Sequence, residues 1–226
     1  MSGLSDLREL VPRDSRGLRL MVYDRTCVGK SAPVGLSTAW GAGSVLYRGL
    51  GRLDGTFGAT SWDDALDWLA RYEPPRPIAE IQYWGHGQWG RALVDRDVLD
   101  ARALAPGHRL EPRIAAVRER LLPGGEALFW LRTCEAFGAN AGHDFAQRLA
   151  DGLGARVAGH TFIIGAIQSG LRGLVPGHAP DWSAEEGIAE GTPDRPVRAH
   201  GSGLRRPRTI TCFRGDVPPS WFTGAE

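Results

Sequence analysis

The stretch IAEIQYWGHG, residues 78 to 87, decides the fold. Its first seven residues make an apolar run of strand length, and the run ends abruptly at His86 between Gly85 and Gly87. Two other runs have the same character. LRLMVYD, Leu18 to Asp24, precedes it, and ALFWL, Ala127 to Leu131, follows it and leads straight into Arg132, Thr133 and Cys134. Helical patterns separate them. Ser61 with Asp64 forms a capping-box pattern, and Trp62, Ala65, Leu66, Leu69 and Tyr72 recur at helical spacing until Pro74 and Pro75. Pro112 to Leu122 carries proline in its first turn and stops at Pro123, Gly124 and Gly125.

Further along, Phe145, Leu149, Ala150 and Leu153 share a helical face that Gly154 can cap, and Val157 to Ile164 reads as another strand. ALVD, residues 92 to 95, is a short hairpin strand. Gly35 to Gly58 reads two ways: Leu36, Trp40 and Val45 fit a helix, and SVLYRGL fits a strand. Residues 169 to 208, rich in Gly, Pro and charge, form a long loop excursion before a last strand, Thr209 to Phe213. Strands alternating with helices imply right-handed crossovers and a mostly parallel sheet covered on both faces, a three-layer α/β/α sandwich. In such sheets functional groups collect beyond the carboxyl ends of the strands.

The 226 residues, 42% hydrophobic, suit a single domain spanning 1–226, with residues 1–17 as an N-terminal tail. With 27 basic and 26 acidic residues, the formal charge of +1 gives no field that would draw in nucleic acid or an anionic membrane. The basic run Arg205, Arg206, Arg208 reads as a solvated loop before a strand. No stretch approaches the ~20 apolar residues of a membrane helix, and MSGLSDLREL lacks the layout of a secretory signal, so a cytoplasmic location is expected. Cys27, Cys134 and Cys212 are odd in number and far apart, which argues for free thiols. The histidines show no HxxxH or HxH spacing, and no phosphate-binding loop or GxSxG elbow is present. No metal and no cofactor are therefore expected.

A thiol nucleophile needs a base, a donor pair for the oxyanion and enough exposure for a substrate to arrive. If the strands ending at Trp84 and Leu131 are neighbours, about 5 Å apart, the loops after them bring His86 and Cys134 to one edge. Gly85 and Gly87 let the backbone turn tightly and let a substrate carbonyl come close, so the N–H groups of Gly87 and Cys134 are candidate oxyanion donors. Taken singly, a cysteine after an apolar run is more often a small buried hydrophobe, and a histidine near a strand end a structural residue. Cys27 and Cys212 read as packing residues. His143 is a weaker candidate base, because its neighbour Asp144 cannot face it on a helix. Of the eight tryptophans, Trp84, Trp89 and Trp130 lie near the pair in sequence, where one or two can wall a cleft.

The pieces IQYWGHG and LFWLRTC together resemble the caspase-like cysteine peptidases of clan CD, which include caspases, metacaspases, gingipains, separases and bacterial CHAT domains. GHDFAQRLADGLGARVAGHT is similar to the helix and strand that follow the cysteine in bacterial members, and the resemblance covers roughly Leu18 to Gly165. It implies a mostly parallel sheet of about six strands with a His86–Cys134 dyad at the carboxyl edge. The implied activity is a cysteine endopeptidase working through an acyl-enzyme on a protein or peptide substrate. Caspases carry a glycine close after the nucleophile; here Glu135, Ala136 and Phe137 intervene before Gly138. Members commonly read the P1 residue just beyond the first strand. Asp24 there favours a basic residue and Arg25 an acidic one, and Glu135 is a second group able to bind a cation. A basic preference would make RRPR, 205 to 208, a candidate self-cleavage site, and an activating partner is the other expected route to activity. The alternatives are a silent caspase-like binding module and a cysteine hydrolase of a non-peptide amide or ester.

Overall fold

The computed structural model describes residues 17–28 and 35–224. The expected tail therefore lies outside the described residues except for Gly17, as does part of the loop after the first strand. In chain order the elements are β1 (Leu18–Asp24), α1 (Leu36–Gly49), β2 (Gly55–Ala59), α2 (Trp62–Arg71) and β3 (Ile78–Trp84). A three-stranded meander follows, β4 (His86–Gln88), β5 (Arg91–Val94) and β6 (Asp97–Asp100), then α3 (Glu111–Arg118), β7 (Leu128–Arg132), α4 (Ala139–Leu153) and β8 (Arg156–His160). The last part holds β9 (Ile167–Gln168), β10 (Leu171–Leu174), β11 (Ile188–Thr192), β12 (Arg195–Ala199), β13 (Ile210–Thr211) and β14 (Phe222–Thr223).

Seven strands form the central sheet in the order β14-β10-β8-β7-β3-β1-β2. β2, β1, β3, β7 and β8 run parallel, while β10 lies antiparallel to β8 and β14 parallel to β10. The α/β class and the mostly parallel sheet are as the sequence predicts, with seven strands where about six are expected. Alternation along the strands sorts two faces. Leu20 and Val22 of β1, Ile81 and Tyr83 of β3, and Phe129 and Leu131 of β7 pack with Leu66 and Leu69 of α2, Val117 of α3, and Phe145 and Leu149 of α4. The opposite face carries Met21, Trp84, Trp130 and Ala158, covered by Tyr47 of α1 and by Ile210, Val217 and Phe222 from the C-terminal segment.

That second face has a polar centre. Arg19 Nε donates to Glu80 at 2.7 Å, Gln82 Nε2 donates to the other Glu80 oxygen at 2.6 Å, and the Trp84 indole donates to Gln82 Oε1 at 2.9 Å. Beside them the buried Arg132 guanidinium lies 4.6 Å from the Trp84 ring centre and 4.4 Å from that of Trp130. It donates to the Tyr47 hydroxyl, to Gln168 Oε1 and to the carbonyls of Cys212 and Arg214, at 2.8–3.1 Å. Burial pulls its pKa down, yet these acceptors and the two indole faces keep a delocalised cation tolerable where an ammonium would fare worse.

Local signals explain the clearest elements. The Ser61 side chain accepts the Asp64 amide at 3.1 Å and starts α2, a cap of the kind that contributes about 1 kcal/mol. Gly154, left-handed at φ 60°, ends α4. Two expectations change. Residues 169–208 are not merely a loop, since they contain β10, a member of the central sheet, and the β11–β12 hairpin. The last expected strand contributes only β13, which pairs with β9, and the sheet edge is formed by β14 instead.

The order also fixes where a ligand crevice lies. From β1 the chain crosses to β2 on one side, and from β3 it proceeds to β7 and β8 on the other. The reversal sits between β1 and β3, and the space beyond their carboxyl ends is the switch point where open α/β sheets bind ligands.

Candidate functional site

β3 and β7 are adjacent and parallel, with Trp84 opposite Arg132, so the segments after them leave the sheet side by side. The chain after β3 turns into β4, where His86 pairs with Leu93 of β5. The Tyr83 hydroxyl donates to the Leu93 carbonyl, and the Trp62 indole donates to the Ala92 carbonyl at 3.0 Å, which holds the meander over α2. A Cβ at Gly87 would stand 2.5 Å from the Cys134 carbonyl oxygen and 2.5 Å from Thr133 Oγ1. At Gly85 it would strike the Tyr83 ring. Neither glycine has a positive φ, so both are needed for clearance and not for the tight turn the sequence suggests.

Cys134 sits in the bend after β7, largely shielded. Its sulfur accepts the Ile164 amide at 3.4 Å and lies 3.8 Å from the Ile164 carbonyl. Burial pushes the thiol pKa up, the Ile164 amide opposes this, and the Glu135 carboxylate adds to the rise. Glu135 itself adopts φ 51°, donates its amide to the Phe162 carbonyl at 3.1 Å and has its carboxyl pushed up by burial. No hydrogen bond or ion pair engages that carboxylate among the described residues.

His86 is exposed, and its Nε2 lies 2.9 Å from the sulfur of Cys27. Its ring meets Trp40 of α1 edge-on, with centres 5.7 Å apart. The structure thus brings His86 into bonding contact with Cys27, while Cys134 is bonded to Ile164; no hydrogen bond joins His86 and Cys134. Reading Cys27 as a packing residue is corrected here. β1 is the other neighbour of β3, so the loop after it reaches the same edge. Burial, and then the Asp24 carboxylate, push the Cys27 thiol up.

Asp24 is buried, and its carboxylate is already engaged. One oxygen accepts the Thr26 amide at 2.8 Å and the Thr26 hydroxyl at 2.6 Å, and the other accepts the Asp95 amide at 3.3 Å. It ties the loop after β1 to the β5–β6 turn, and reading a substrate would require giving up those bonds. Arg25 is exposed, with its amide held by the Ala59 carbonyl at 3.0 Å. In the basic run, Arg205 and Arg206 are exposed, while the carbonyls of Pro207 and Arg208 accept from Gly170 and Leu171.

The remaining candidates fall into structural places. His143 packs against Trp182, with ring centres 5.1 Å apart, and burial lowers its pKa. His160, fully buried on β8, faces the Ser169 carbonyl through Nδ1 at 3.1 Å and is pushed down to about 3 by burial. Trp84 and Trp130 flank Arg132, and Trp89 lies under Gly138. Among the described residues no three His, Cys, Asp or Glu side chains converge as a metal site, and no helix is long and apolar enough to cross a membrane.

Sequence reasoning missed Cys27, Trp40 and Ile164. Cys27 had one legible signal: it lies three residues past Asp24, at a strand end already assigned to the site. Ile164 and Trp40 had none, because one sits past an irregular turn and the other on a helix whose pattern is ambiguous. No family model matches the chain, and no curated protein or solved structure matches it.

Proposed function

We propose that this chain is a caspase-like cysteine endopeptidase of the cytoplasm in which His86 is the base and Cys134 the nucleophile. The observation that carries the reading is the packing of Gly87 directly on the Thr133 side chain and the Cys134 carbonyl, which keeps the histidine-bearing turn and the cysteine-bearing bend in contact at adjacent strand ends. His86 takes the Cys134 proton, the sulfur attacks a peptide carbonyl carbon, and the N–H groups of Gly87 and Cys134 receive the oxyanion. His86 then protonates the leaving amine, and water hydrolyses the thioester. Because the thiol is pushed up by burial, this scheme needs base assistance at the moment of attack and not a standing thiolate. Glu135, whose carboxylate is uncommitted among the described residues, is a better reader of a basic P1 residue than Asp24.

The test is covalent labelling by peptides carrying a thiol-reactive ketone, with different P1 residues, on wild type, Cys134→Ala and His86→Ala. The reading expects wild-type labelling at Cys134, lost in both variants while the thermal melt is unchanged. A wild-type peptide adduct that maps to another cysteine and not to Cys134 overturns the assignment of the nucleophile. A second reading, a silent caspase-like binding module, is favoured by a specific observation: His86 is bonded to Cys27 and Cys134 to Ile164, so each is engaged by a partner other than its proposed dyad mate. Absence of labelling with every P1 type supports it.

A further inference from the structure

The geometry points to Cys27 as a second nucleophile of the crevice, activated by the same His86 imidazole and open to covalent modification by small soft electrophiles. Three observations combine. The sulfur lies 2.9 Å from His86 Nε2, within direct proton-transfer distance. The imidazole does not hang free: the His86 backbone starts β4 and pairs across the meander with Leu93, and the ring rests edge-on against Trp40. The pair also occupies the mouth of the switch point between β1 and β3, with Cys27 only partly covered and His86 exposed. Cys134 is by contrast shielded and bonded to the Ile164 backbone.

Burial and the neighbouring Asp24 keep the Cys27 thiolate scarce, so its reactivity depends on a base that removes the proton as the sulfur attacks. With iodoacetamide the step is balanced as follows. The thiol proton passes to His86 Nε2, the sulfur lone pair forms a bond to the methylene carbon, the carbon–iodine bond breaks, and iodide leaves. The imidazolium then returns its proton to water. Resting on the peptidase reading, there is a consequence: an adduct on Cys27 stands against the His86 ring and removes the base from Cys134, so modification of one cysteine silences the other.

The experiment measures the iodoacetamide alkylation rate of each cysteine at pH 7 by peptide mass mapping, in wild type, His86→Ala, His86→Gln and Cys134→Ala. The expected result is a Cys27 rate at least tenfold lower in both His86 variants and unchanged in Cys134→Ala. His86 is exposed, so its truncation leaves the core intact, and a thermal melt verifies this. Equal Cys27 rates with and without the imidazole overturn the proposal, as does a Cys27 that resists alkylation until the protein is denatured. The two readings fail separately. His86-dependent alkylation of Cys27 without any peptide cleavage sinks only the peptidase, and Cys134-dependent cleavage with a His86-independent Cys27 sinks only this one.

Discussion

Gly87 and Cys134 touch through their backbones: the face of Gly87 that lacks a side chain lies against the Cys134 carbonyl, where a Cβ would stand 2.5 Å away. Neither partner can retreat cheaply, because Gly87 is paired within the meander and the bend after β7 is bonded to residues 160, 162 and 164. Gly87→Ala is therefore expected to destabilise the protein by about 1–3 kcal/mol and to displace the Cys134 bend. Thermal melts and the Cys134 labelling rate check this; a neutral Gly87→Ala would show that the contact is loose.

Arg132 leads to a second expectation. Its removal strands Gln168 Oε1 and leaves the carbonyls of Cys212 and Arg214 to share the single Tyr47 hydroxyl proton, at about 1–3 kcal/mol for each unsatisfied group. Arg132→Met should lower the urea midpoint sharply and raise hydrogen exchange across residues 210–217. Arg132→Lys should not rescue it, since a point charge cannot span the same acceptors or stack between two indoles.

Acid should destabilise the fold through His160. Its folded pKa of about 3 lies below its ordinary value of 6.5, so the unfolded chain binds the proton first. The stabilisation is complete above the ordinary value and is lost as pH falls from there toward 3, by up to about 1.4 kcal/mol per pH unit. Urea melts at pH 7 and pH 5 should show this slope in wild type. His160→Asn, which retains a donor for the Ser169 carbonyl, should flatten it.

Specificity and stability should separate at the two acidic residues. Under the proposed peptidase reading, Glu135→Gln is expected to reduce cleavage after arginine or lysine about tenfold with little change in melting temperature. Asp24→Asn is expected to cost about 1–3 kcal/mol, because an amide cannot accept all three of the bonds its carboxylate receives. A panel of P1 substrates together with thermal melts distinguishes the outcomes.

The parts of the fold legible in the sequence are those where burial and periodicity agree. β1 and β3 are largely apolar runs, apart from Arg19, Asp24, Glu80 and Gln82, with the ends expected of them, and α2 announces itself through Ser61 and its spacing. α1 was ambiguous for a physical reason: it buries Ser37, Ser44 and Tyr47 and exposes Leu36, Val45 and Leu46, which inverts the usual pattern. β10 and β14 were hidden because they are four and two residues long, and because Gly173 of β10 makes room for Phe222. At the site, the adjacency of β3 and β7 was readable from strand alternation. The contact of Cys27 with His86 was not, since it depends on β1 flanking β3 from the other side.

Arg132 also imposes an order of events on synthesis. The carbonyls of Cys212 and Arg214 that enclose it belong to residues some 80 positions further along the chain. When β7 leaves the ribosome, its guanidinium has the Trp84 and Trp130 rings and the Tyr47 hydroxyl for company, and water in place of its later acceptors. The middle of the sheet can dry out only after translation has passed residue 214, so the nascent chain must carry a hydrated, half-assembled centre until then.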